Sequence, residues 1–134
     1  MRDMNIVHLI DWYDGLVAGV VRAEWLPGPH LCTMLMYDAE KRIRIFALLP
    51  LSEQSLEDLR SLLDSDWDSL VLYLKKLWAC AEQSSVLVCR TGPDERIMAK
   101  TMVDTSRVRD DAVNDIERAT DEAQRHWDNE FRSG

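Results

Sequence analysis

The string Asp11-Trp12-Tyr13-Asp14-Gly15 sets two carboxylates three residues apart, beside two aromatic rings and a glycine. Paired carboxylates divide acid and base work when their surroundings push the two pKa values apart. A second pair, His30 and Cys32, alternates along a run of strand character and so shares a face. That arrangement suits a Cys–His nucleophile or half of a metal site. Catalytic zinc takes three protein ligands, however, and a thiol nucleophile needs a third group to orient its base. The sequence supplies no such third partner, so neither a metal nor a cofactor is expected. Asp11, His30, Cys32 and Asp38 are the set from which a small enzyme would have to build its site.

The bland reading of each residue is the stronger. Asp14-Gly15 between two β-rich runs is a hairpin signal, because a type I′ turn needs positive φ at both central positions. His8 lies on an apolar face and reads as a core residue, and His126 reads as part of a solvated helix face. The five glycines stand at 15, 19, 28, 92 and 134. They form neither a phosphate-binding loop nor a dinucleotide-binding turn, and no nucleophile elbow is present.

The elements that would position these groups begin with "NIVHLIDWY" and "LVAGVVRAEW", paired about Asp14-Gly15. A two-residue loop sets Tyr13 opposite Leu16 and Trp12 opposite Val17, which puts Ile6, His8, Ile10, Trp12, Val17, Val21 and Trp25 on the buried face. "LPGPH" breaks the pattern, and "HLCTMLMY" and "RIRIFALL" continue a four-stranded meander to Pro50. Ser55 with Asp58, and Ser65 with Asp68, resemble capping boxes. Between and beyond them lie helical repeats of Leu56, Leu59, Leu62 and Leu63, then Trp67, Leu70, Val71, Leu74, Leu77 and Trp78, with a break near Asp64. "SSVLVCR" and "RIMAKTMV" form a second hairpin. The spacing of Val113, Ile116, Thr120, Ala123, Trp127 and Phe131 predicts a closing helix over about 109–131. Asp121–Arg125 and Asp128–Arg132 are favourable i, i+4 pairs along it.

The chain of 134 residues is 46% apolar, with five tryptophans, enough for one core without disulfides. One domain over 1–134 is expected, of α+β class. It has a mostly antiparallel sheet of about six strands, a central helical segment packed on it, and the C-terminal acidic helix beside that. Three widely spaced cysteines, 32, 80 and 89, fit a reducing compartment. The longest apolar run, "IFALLPL", falls far short of the roughly 20 residues that span a bilayer. A cytoplasmic protein without membrane contact is expected.

The net charge of −8 is uneven: from Asp110 onward there are eight acids and three arginines, a net −5. This balance disfavours direct binding to nucleic acid, whose affinity comes from Lys and Arg displacing counterions. It suits a basic protein partner. Asp111, Asp115, Asp121, Glu122 and Asp128 are the partner-binding candidates. The 3,4 spacing of the apolar seam also allows a homodimer contact through this helix.

"DWYDGLVAGV", "GPHL", "LLPL" and a tryptophan-bearing helix together resemble a scattered group of small bacterial proteins of no assigned function. The resemblance covers about residues 9 to 80. It implies an aromatic-Asp-Gly hairpin followed by a strand with a small residue, and it carries no catalytic residues. The function expected is a small interaction module that binds or inhibits another protein, as an immunity-type or regulatory factor. The alternatives are an acidic nucleic-acid mimic from a phage or mobile element, and the enzyme built around Asp11, His30, Cys32 and Asp38.

Overall fold

The structure, a computed structural model, describes residues 3–13, 15–109, 120–122 and 125. Six strands form one antiparallel meander in which each pairs with the next: β1 (Asn5–Trp12), β2 (Leu16–Arg22), β3 (His30–Asp38), β4 (Ile43–Pro50), β5 (Ser85–Thr91) and β6 (Ile97–Asp104). Helices α1 (Glu53–Leu62) and α2 (Trp67–Ala79) fill the β4–β5 connection, and a short α3 (Thr105–Arg109) follows β6. This is the expected α+β class, with the meander extended to all six strands. No described helix is long and apolar enough to cross a membrane.

Both faces of the sheet are apolar. On one face, Val20, Leu31, Leu49 and Val86 join Leu56 and Leu59 of α1 and Leu70 of α2 in one buried cluster. The other face is concave. Its cluster takes Leu16, Val21, Cys32, Phe46, Leu48 and Cys89, with Ile6 and Ile97 packed against them, so every strand contributes. The curl brings the two edges together: the backbone N–H of Ile97 on β6 donates to Asp3 Oδ2, just before β1, at 2.8 Å. An amide that would otherwise face open space at the sheet edge is thereby satisfied.

The helix starts lie a few residues from the expected ones. Ser52 rather than Ser55 caps α1, accepting from the Ser55 amide, and Asp66 caps α2, accepting from the Ser69 amide. Both are extended residues whose side-chain oxygen satisfies an otherwise unpaired amide of the first turn. The Asp66 carboxyl is held below its ordinary pKa, chiefly by the Ser69 backbone hydrogen bond. The break falls at Leu63–Asp66, around the anticipated Asp64. Tyr73 then ties the helices together, its hydroxyl donating to Asp58 Oδ2 at 3.1 Å.

The first hairpin departs from expectation by one residue. Trp12 pairs with Leu16, so three residues, not two, connect β1 to β2, and the ladder shifts again between Ile6 and His8 and between Leu9 and Asp11. Trp12 is consequently 53% exposed rather than buried. Asp14 lies outside the described residues. Gly15 has φ +135°, a conformation L side chains rarely adopt, and a Cβ built there would stand 2.6 Å from the guanidinium carbon of Arg44. Arg44 reaches from β4 to donate to the Leu16 and Tyr13 carbonyls at 3.2 and 3.5 Å, and packs 4.5 Å from the Tyr37 ring centroid. The glycine of "DWYDG" is therefore required by backbone conformation, and a side chain there would also displace the Arg44 guanidinium lying against it. Gly15→Ala is expected to cost about 2 kcal/mol or more from strain alone; urea unfolding measures it, and Glu40→Ala on an exposed turn serves as the neutral comparison.

Candidate functional site

The enzyme candidates do not come together. His30 opens β3 and Asp38 closes it, about 25 Å apart at the usual rise of an extended chain. His30 is buried, with Nδ1–H donating to the Gly28 carbonyl at 2.8 Å. Asp38 accepts the Glu40 and Lys41 amides at 3.0 and 3.2 Å, which makes it the organiser of the β3–β4 turn. Asp11 accepts the Trp12 amide at 2.9 Å and sits opposite Ala18, two strands away from β3's inner cysteine. Each carboxylate or ring is thus occupied with its own backbone.

Cys32 is inaccessible, and burial, then the neighbouring Cys89, pushes its thiol far above the ordinary range. Burial likewise pushes Cys89 up to about 12. Both are protonated at neutral pH, the opposite of an activated thiolate. They lie on β3 and β5 with β4 between them, roughly 10 Å apart by strand spacing, too far for a disulfide. Among the described residues no three His, Cys, Asp or Glu side chains are grouped to hold a metal. In the folded protein only exposed Cys80 should react with a thiol reagent, giving one equivalent; three should react in guanidinium. Rapid native labelling of Cys32 or Cys89 would contradict this packing.

Of the proposed partner-binding acids, Asp111, Asp115 and Asp128 lie outside the described residues, as does His126. Glu122 is exposed. Asp121 is engaged within the chain: Oδ2 lies 2.6 Å from Arg125 Nη2, the expected i, i+4 pair, and Oδ1 lies 3.7 Å from Arg90 Nη1. Arg90, on β5 opposite Ile45, keeps only 8% of its side chain exposed, and its Nε has no partner. Thr120 beside Asp121 is fully buried. An ion pair with a buried guanidinium loses most when one partner alone is removed, because the remaining charge stays uncompensated. Asp121→Asn is expected to destabilise by about 1–3 kcal/mol, and adding Arg90→Met should recover most of that. Denaturant melts of the two single variants and the double variant read this out.

Sequence reasoning missed a cleft of about 480 Å³ between the two sheet edges. Asp3 and Asn5 line it from the N-terminal side, Glu24 and Trp25 from the β2–β3 loop, and Ile97 to Lys100 from β6. Trp25 Nε1–H donates to the Asp3 carbonyl at 3.0 Å, and Lys100 Nζ lies 4.4 Å from the centroid of the Trp25 ring. No local pattern signals a site assembled from positions almost a hundred residues apart. A second hollow, of about 400 Å³, is mainly apolar and lies beside Val71, Leu74 and Trp78 of α2, over Ala18, Thr33 and Leu35.

Exposed apolar side chains are concentrated elsewhere. Seven large ones are exposed among the described residues, and four belong to β1 and the turn after it: Val7, Leu9, Trp12 and Tyr13, the last at 76%. β1 is a sheet edge. Compared with known proteins, the chain matches no family model, no curated protein and no solved structure.

Proposed function

We propose that this is a protein-binding module whose contact surface is centred on β1 and the Trp12–Tyr13 turn, and that it acts by occupying a partner, as an immunity-type or regulatory factor does. The observation that carries this reading is the exposed row Val7, Leu9, Trp12 and Tyr13 on an edge strand. Tryptophan and tyrosine supply much of the affinity at protein interfaces, since they bury large area with few rotatable bonds. An apolar edge is otherwise an aggregation hazard, which proteins blunt with charge or bulges. The ladder shifts along β1 interrupt its regular edge, so a partner engages its side chains more readily than it extends the sheet.

The partner we expect has an apolar centre with a basic rim, to match a chain of net charge −8. Arg44 supports this role, because it links the Tyr13 carbonyl to β4 and packs on Tyr37 of β3.

Pull-down from the native lysate tests the reading with the full chain and a Trp12→Ser/Tyr13→Ser double variant. Both side chains are exposed, so the melting temperature should hardly move, while a partner recovered by the parent should be lost by the variant. Retention by the variant with loss of binding as salt rises would instead favour an acidic platform or nucleic-acid mimic. Sedimentation of the purified chain checks whether the partner is a second copy.

A further inference from the structure

We propose that the cleft between Asp3 and β6 is a receptor for a lysine side chain, and that Lys100 occupies its aromatic wall until such a ligand arrives. The protein's own arrangement displays the chemistry. An ammonium already lies against the Trp25 indole face, at 4.4 Å from the ring centroid, a distance at which the negative face of the ring attracts a cation. The Asp3 and Glu24 carboxylates line the same cleft, so its acids outnumber the single lysine. The walls beside them, Ile97 and Met98, are half-buried apolar surface suited to an alkyl stem.

The wall is well fixed and the plug is not. Trp25 is held by its Nε1–H bond to the Asp3 carbonyl, and Asp3 is held by the Ile97 amide. Lys100 is an exposed residue on an edge strand, joined to the ring by this contact. Exchanging one ammonium for another leaves the charge balance of the cleft unchanged and returns Lys100 to water. An anionic ligand would meet two carboxylates.

The inference deepens the protein-binding reading, on which it rests only for the source of the lysine, a partner's side chain. Asn5, which lines the cleft, opens the same strand that carries the exposed Val7 and Leu9.

Titration of the full chain with N-acetyl-lysine methylamide tests it, following the tryptophan indole N–H signals by NMR, with that of Trp25 assigned by its loss in Trp25→Phe. The lysine compound should shift the Trp25 signal, while the uncharged norleucine analogue should leave it in place. Lys100→Met removes the competing ammonium but keeps most of the stem, and should tighten binding about tenfold. Glu24→Gln should weaken it severalfold, and Glu57→Gln, an exposed acid on α1, should leave it unchanged. The proposal is overturned if Lys100→Met weakens the response, if the glutamate analogue shifts the signal in place of lysine, or if Glu57→Gln acts as strongly as Glu24→Gln. Trp12→Ser/Tyr13→Ser should not alter this titration. A failed titration therefore removes the cleft alone, whereas failed partner capture removes the β1 surface.

Discussion

Ile45, Phe46, Ala47, Leu48 and Leu49 are five consecutive residues of one strand, and none is more than 3% exposed. An antiparallel strand buried on both faces needs a cover on each, and the rest of the architecture follows from that demand. The helical pair between β4 and β5 covers one side with Leu56, Leu59 and Leu70. No comparable element covers the other side among the described residues, so the sheet bends over itself and meets its own far strands through Ile6 and Ile97. The Asp3–Ile97 bond is the seam left by that closure, and the cleft lies beside it.

Several charged side chains hold elements of the fold together. Arg44 binds a hairpin turn by its carbonyls, and Arg90 binds the C-terminal segment through Asp121. Asp38, Asp66 and Asp104 all accept backbone amides at turns or helix starts. Carboxylates used in this way are poor general bases, because their lone pairs already face fixed donors. The Cys32 and Cys89 thiols are buried and protonated.

The local signals in the sequence were read correctly where a single element decides them. The strand run "RIRIFALL", the leucine spacing of the helices and the break near Asp64 each report a short-range pattern. The β1–β2 register was not legible near the turn, because a loop of three rather than two residues turns Trp12 outward, while the ladder shifts further along β1 leave Ile6 and Val21 on the core side as expected. The contact that holds the ends of that loop comes from Arg44, some thirty residues further on. The cleft was hidden for the same reason at greater range. Asp3, Trp25 and Lys100 carry no mutual spacing rule, and only the curvature of the whole sheet brings them together. Asp121 and Thr120 were legible as a helix face, but the pairing of Asp121 with Arg90 and the full burial of Thr120 were not.

The order of the strands has a kinetic consequence. Because each strand pairs with its neighbour in sequence, most of the sheet can zip up through successive local hairpins, an arrangement that favours rapid folding. The bond from Asp3 to Ile97 spans 94 residues and can form only once the curvature is complete. A solvent-exposed bond of this kind protects little, so amide exchange at Ile97 should be fast beside that of Phe46, buried at the centre of the sheet.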